Sequence, residues 1–344
     1  MAASAVTMRV RAPGAPLTAE LVEVEPPMPG WVRVAVVASG MCRADLATAA
    51  AGAGSLPVTP GHEIAGTVAE VGAGVAGWDE GDRVAVGWFG GSCGHCDACR
   101  RGDVVHCPER MVPGVSYPGG WSQSVTVPAA ALARVPEGLD LRDAAPMGCA
   151  GVTTFNALRR SGTPSGGRVA VVGLGGLGHL AVQFAARLGY EVIVVARGAE
   201  REGPARELGA HHYVDSTVLA PGAALAELGG VDAIVGTAHR TAALAELSTG
   251  LRAHGRLVLV GVDGEQLAIP VGQLVSKAQT VTGQLTGSPL DTEEAMRFAV
   301  LTGVRPVIER APLGAAQAAL ERLRAGEARF RIVLDATTGG VVDG

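Results

Sequence analysis

The sequence predicts an α/β protein of two domains, one β-rich and one built on a doubly wound parallel sheet. Three observations point there. The 344 residues exceed what a single core usually serves. The N-terminal part carries apolar runs separated by Gly-rich turns. From Arg168 onward, apolar runs alternate mostly with helix-like stretches, which implies parallel strands with helices on both faces.

In chain order, WVRVAVV (31–37) sets Val32, Val34 and Val36 on one face, as a half-buried strand does. IAGTVAEVG (64–72) and GDRVAVG (81–87) read as further strands. RVAVVG (168–173) opens the second domain, followed by EVIVVA (191–196), VDAIVG (231–236), RLVLVG (256–261) and TVTGQL (280–285). Between the first two, Leu177, Leu180, Ala181, Phe184 and Leu188 keep helical spacing. After Ser288, DTEEAMRFAVLTG and GAAQAALERLRAG read as helices and RFRIVLD as a last strand. Pattern alone leaves this tail open to either domain.

Composition narrows the function classes. Hydrophobic residues are 48% of the chain and aromatics only 3%, so aliphatic side chains must fill the cores. The 50 glycines and 20 prolines suit short strands and tight turns. The net charge of -5, without a basic run, argues against a nucleic-acid partner. No apolar stretch is long enough to span a membrane, and MAASAVTMRVRAPG lacks the apolar core of a signal peptide. The expected location is the cytoplasm, where clustered cysteines are metal ligands or catalysts more often than disulfides.

The six cysteines fall into two sets. Cys93, Cys96, Cys99 and Cys107 share one 15-residue loop. Four thiolates complete a tetrahedron, so the spacing predicts a structural zinc, with His95 and His106 left to solvent. Cys42 and Cys149 stand far apart, with His62-Glu63 between them. Cys42, His62 and Cys149 offer three N/S ligands and leave a coordination position free, the pattern of catalytic zinc. That set is weaker on spacing, because a lone buried Cys or His is usually core. Its local contexts strengthen it. His62 sits in a turn ahead of a strand, and Cys149 lies just before the nucleotide domain, where a cleft is expected.

Gly173, Gly175 and Gly178, with Leu174, Gly176 and Leu177 between them, follow RVAVV directly and open an amphipathic helix. In that strand-turn-helix context the glycines predict a dinucleotide pyrophosphate site. Gly173 permits the tight turn, Gly175 lets the backbone approach the phosphates, and Gly178 lets helix pack on strand. Dinucleotide sites for NAD place an acid about 20 residues further on to hold the ribose 2′-hydroxyl. Here the second strand ends in Ala196-Arg197-Gly198. Arg197, with Arg201 as a second contact, suits a 2′-phosphate, so NADP(H) is expected over NAD(H).

The segments GMCRAD, PGHEIAGTVAEVG, GDRVAVGW, the four-cysteine loop, AAPMGCAGVTTFNAL and VAVVGLGGLGHLAVQFAARLG together resemble a zinc-containing medium-chain dehydrogenase/reductase of the alcohol and cinnamyl-alcohol dehydrogenase type. The resemblance runs nearly end to end. It implies a GroES-like catalytic domain over 1–151 and 289–344 and a Rossmann NADP(H)-binding domain over 152–288. It implies catalytic zinc on Cys42, His62 and Cys149, with Glu63 an occasional fourth ligand and Asp45 orienting His62. It places Trp88 in the substrate pocket and Arg331 near the coenzyme phosphates. Phe89 extends the apolar wall suggested by Trp88, while Met147, beside Cys149, is expected in the core. The family assembles as homodimers and homotetramers and acts on small molecules.

One departure stands out. The family carries Ser or Thr two residues after the first zinc cysteine and often a His three residues later, to pass a proton. Here those positions are Ala44, expected in the substrate pocket, and Ala47. Thr48 is one residue late, about 100° round a helix. Three functions are therefore expected in order: hydride transfer between nicotinamide and an alcohol or aldehyde; NADPH-dependent reduction of an iminium C=N or an activated C=C in specialised metabolism; and non-catalytic binding of coenzyme or metal.

Overall fold

A computed structural model describes residues 4–51, 56–238, 242–262 and 264–338. In chain order the strands of the N-terminal part are β1 (Ser4–Arg9), β2 (Thr18–Glu23), β3 (Trp31–Gly40), β4 (Glu63–Val71), β5 (Arg83–Val86), β6 (Ser124–Pro128) and β7 (Ala133–Arg134). Next come β8 (Arg168–Val172), β9 (Glu191–Ala196), β10 (His212–Asp215), β11 (Val231–Gly236), β12 (Leu251–Leu259) and β13 (Thr280–Gly283). The tail adds β14 (Ile308–Pro312) and β15 (Arg331–Asp335). Two compact units form. One takes Met1–Val152, Thr286–Leu301 and Pro306–Gly344; the other takes Thr153–Leu285 and Thr302–Arg305.

The first unit is built on a seven-stranded sheet ordered β14-β15-β3-β4-β5-β7, with β6 also on β3. β3 buries Val32, Val34 and Val36, as its alternation requires. One edge of β3 is shared: Trp31–Ala35 pair with β6, and Ala38–Gly40 pair antiparallel with β15. The tail thus belongs to this unit except for Thr302–Arg305, which group with the other, and all five residues of β15 are buried. The core around the sheet is aliphatic, with Val34, Ile64, Val68, Val84, Val127, Ile332 and Leu334, and with Trp121 as its one large aromatic among the most buried residues.

The second unit is a six-stranded sheet ordered β10-β9-β8-β11-β12-β13, and all its pairings are parallel. Counted within the unit this is the 3-2-1-4-5-6 order of a Rossmann fold. Helices cover both faces, so β8 and β9 are buried over nearly their whole length and read as continuous apolar runs. The helix Gly178–Arg187 buries Leu180, Ala181 and Phe184 as its periodicity predicts, while Leu177 and Leu188 at its ends are half-buried. Among the described residues no helix is long and apolar enough to cross a membrane.

Candidate active site and metal centres

The first unit gathers Cys42, His62, Glu63 and Cys149, whose ligand atoms all lie within 4.8 Å of one another. They come from three separate stretches of chain. Cys42 ends the link from β3 and directly precedes the helix Arg43–Ala51. Asp45, in that helix's first turn, reaches back so that Oδ2 accepts from the Cys42 N–H at 2.8 Å, in the manner of a capping box. Its Oδ1 lies 3.0 Å from His62 Nδ1. One carboxylate, 1% exposed, therefore fixes the ligand-bearing backbone of Cys42 and the orientation of the His62 ring. Nδ1 is engaged by Asp45, and Nε2 is buried without a hydrogen-bond partner among the described residues.

Neighbours hold these groups by close packing. Gly61, at φ +103°, precedes His62; a side chain there would run into the ring of Trp121. Trp88 meets the His62 ring edge to face, with centroids 4.8 Å apart. Cys149 sits on a π-helical turn, Met147–Gly151, after a helix that contains Pro146. Such single π turns are common where a side chain must be re-aimed. Met147 is fully buried. The Gly148 carbonyl rests on Gly87, where a Cβ would come within 1.9 Å of it.

Glu63, fully buried, lies over Gly40, and its Oε1 accepts from Arg331 Nη2 at 2.5 Å. Arg331 is only 4% exposed, so the structure places this arginine against Glu63. Oε2 of Glu63 has no protein partner among the described residues. Burial pushes the Glu63 carboxyl up to about 8 despite the pull of Arg331. The hydrogen bond from Cys149 lowers the Cys42 thiol against the effect of burial; the Cys149 thiol, hydrogen-bonded to Cys42 and buried, is raised. Burial draws His62 down, but Asp45 and Cys42 outweigh it and hold the imidazole well above its usual value. A buried set with S, N and S donors and an oxygen in reserve fits a zinc ion.

The second cluster meets a sharper geometric test. The sulfur pairs Cys96–Cys99, Cys107–Cys93, Cys96–Cys107 and Cys93–Cys99 are 3.6, 3.6, 3.8 and 4.0 Å apart. A ZnS₄ tetrahedron with bonds of about 2.3 Å has edges of about 3.8 Å. All four thiols are free, and the Cys93 and Cys96 N–H groups point at Cys107 and Cys93 sulfurs. His95 and His106 are exposed and bond to the Cys93 carbonyl and to Asp103.

In the second unit the glycine-rich turn leaves the end of β8. Gly173 has φ +95°, and a Cβ on Gly178 would lie 1.9 Å from the Gly173 carbonyl. At Gly175 nothing lies within 4 Å of the Cβ position, so the exposed backbone is open to a ligand. Gly176 and Leu177 complete the turn, half-buried. Thr237, from the end of β11, donates to the Val172 carbonyl at 2.8 Å, and His179 Nδ1 lies 3.1 Å from the Gly175 carbonyl. Arg197 is exposed at the end of β9. Arg201 Nη1 donates to the Leu174 carbonyl at 3.3 Å.

Comparison with known proteins agrees with this arrangement. The profile "Alcohol dehydrogenase GroES-like domain" matches residues 28–137, and "Zinc-binding dehydrogenase" matches 176–300. The alcohol dehydrogenase notN of Aspergillus sp. (strain MF297-2) is 39% identical over 322 residues, covering 93% of this chain and 95% of that one. The chain belongs to the medium-chain dehydrogenases/reductases of the alcohol and cinnamyl-alcohol dehydrogenase type. A cinnamyl alcohol dehydrogenase of Sorghum bicolor superposes with a TM-score of 0.89 at 30% identity, covering 99% of this chain and 100% of that one. The cinnamyl-alcohol-type enzyme of Helicobacter pylori, solved with NADP(H), gives 0.87 at 28% identity, covering 98% and 100%.

The helix after Cys42 carries the two alanines singled out in the sequence. Ala44 is half-buried and Ala47 exposed, and Thr48 turns its hydroxyl back to the Ala44 carbonyl at 3.5 Å. Sequence reasoning did not find the Glu63–Arg331 pair, Thr237, or Tyr213 and Asp215, which bond to Gly198. Their partners lie on other strands, so no local spacing marks them.

Proposed function

We propose that this dehydrogenase is zinc- and NADP(H)-dependent and transfers hydride between the nicotinamide and an alcohol or aldehyde. The observation that supports this most is the buried convergence of Cys42, His62, Glu63 and Cys149, with His62 Nε2 unpartnered among the described residues. When bound, zinc polarises a carbonyl and the nicotinamide provides hydride. Cys42, His62 and Cys149 hold the ion, and Glu63, anchored by Arg331, serves as a reserve oxygen. Asp45 keeps the His62 ring aimed, and Trp88 walls the substrate pocket together with Ala44. Gly173, Gly175, Gly176, Leu177 and Gly178 cradle the pyrophosphate at a helix N-terminus. Arg197 and Arg201 take the 2′-phosphate. Cys93, Cys96, Cys99 and Cys107 hold a second, structural zinc. The same reading makes the protein a cytoplasmic homodimer or homotetramer.

The Arg43–Ala51 helix favours a second reading. Ala44 and Ala47 can pass no proton, and the Thr48 hydroxyl is engaged with its own helix. Reduction of an iminium C=N or an activated C=C sends hydride to carbon and needs no proton on a substrate oxygen. Non-catalytic binding accords least with the intact donor set.

Metal analysis should find two zinc ions per chain. NADPH supplied with aldehydes, cyclic imines and enals then separates the reactions by product. Turnover confined to imines or enals would sink the alcohol reading, and kcat/KM with NADH equal to or above that with NADPH would overturn the coenzyme assignment. If the missing relay limits alcohol chemistry, the double variant Ala44→Thr, Ala47→His gains on alcohols, up to the ~10²-fold lower range of general acid–base catalysis.

A further inference from the structure

We propose that Tyr213 and Asp215 are positioning residues for coenzyme discrimination: from β10 they clamp Gly198 and thereby hold Arg197 at the end of β9. The inference rests on the reading of Arg197 and Arg201 as 2′-phosphate contacts.

Gly198 follows Arg197 with φ +89° and ψ 138°, a conformation that L side chains rarely adopt. Glycine supplies that conformation but does not enforce it, because it has the widest choice of alternatives. Enforcement comes from the neighbouring strand. The Tyr213 hydroxyl donates to the Gly198 carbonyl at 2.6 Å, and the Gly198 N–H donates to Asp215 Oδ1 at 2.9 Å. Asp215 is itself held, since the same oxygen accepts from the Thr217 N–H at 2.9 Å and its hydroxyl at 2.7 Å. On the other side of Arg197, the Ala196 carbonyl accepts from the Ser216 N–H at 2.9 Å and its hydroxyl at 3.2 Å. Both neighbours of Arg197 are therefore tied to β10 and the turn after it, while the Arg197 side chain stays exposed.

The Tyr213 phenol is raised by burial first and then by Asp215 and Glu200, so it remains a donor at any working pH. The pyrophosphate turn has its own anchors: Thr237 donates to the Val172 carbonyl and His179 Nδ1 lies against the Gly175 carbonyl. Loosening the clamp should thus move the 2′-phosphate contacts and leave the rest of the coenzyme seat in place. The order is built during folding, so binding does not have to supply it.

The test is the ratio of dissociation constants, NADH over NADPH, measured by fluorescence titration of the zinc-replete protein. Tyr213→Phe should lower the ratio about fivefold, one ordinary hydrogen bond's worth, with the NADH constant changed less than about twofold. Asp215→Ala should do the same, and Asp215→Asn, which keeps an Oδ1 acceptor, should restore it. A ratio within about twofold of wild type in both Tyr213→Phe and Asp215→Ala overturns the clamp, as does an equal weakening of both coenzymes. A wild-type ratio below one overturns the 2′-phosphate reading by itself. Fluorescence thus tells the two failures apart, and Tyr213→Phe, losing one oxygen, carries the test if Asp215→Ala fails to fold.

Discussion

At the scale of single residues, Asp45 does two jobs with one carboxylate, and the arrangement cannot be halved. An asparagine there could accept from only one of the Cys42 N–H and His62 Nδ1–H groups, because its NH₂ would face the other donor. Asp45→Asn is expected to weaken zinc at the Cys42 site about 10- to 100-fold, read by competition with a chelating dye. Wild-type affinity in that variant would show that the ring needs no orienting partner. The role of Asp45 came from the family resemblance, while the ligand types Cys42, His62 and Cys149 were legible in the sequence. The Glu63–Arg331 pair was not, since its members stand 268 residues apart. Gly40 was equally silent: its need for glycine comes from the Glu63 carboxylate lying over it.

At the scale of elements, the near ends of four parallel strands carry alternating charge in spatial order, Glu191 on β9, Arg168 on β8, Asp232 on β11 and Arg252 on β12, with His212 on β10 beside Glu191. Glu191 lies 2.8 Å from Arg168 and 2.7 Å from His212; Asp232 accepts from the Arg168 N–H at 2.7 Å and pairs with Arg252 at 3.0 Å. Arg168 is the main reason the Glu191 carboxyl is held below its ordinary value, with His212 assisting against burial. A carboxylate with a depressed folded pKa stabilises the fold above its unfolded value, about 4.3, and loses that contribution as pH falls through the folded value. The side chain is about a third exposed, so the contribution is of order 0.5–1 kcal/mol. The melting-temperature gap between wild type and Glu191→Gln should therefore be present at pH 7 and close below about pH 4. A constant gap across that range would mean that the charge of Glu191 is not what stabilises. The strands opening with Glu191, Arg168 and Val231-Asp232 could be read from sequence, whereas β10 and the start of β12 at Arg252 were not, and the alternation exists only in the spatial order of the strands.

For the whole molecule, the two units are expected to depend on metal unequally. Both proposed zinc sites draw every ligand from the first unit. Metal binding is coupled to the folding of the segments that supply its ligands. Chelation should therefore raise amide exchange in 93–107 and around Cys42 and Cys149 while β8–β12 stay protected. Equal loss of protection in both units, or none in either, would contradict this assignment of the metals. The sequence by itself determined the Rossmann pattern, the four-thiol loop and the glycine turn, because each is written in spacings of a few residues that chain geometry makes local. Tertiary structure brought together what spacing alone left open, the tail with the first unit and Cys42 with His62, Glu63 and Cys149, and it alone decided that Arg331 is engaged by Glu63 and that Gly198 is held from the adjacent strand. Those facts depend on strand order and on close approach between distant segments, which no single stretch of the chain encodes.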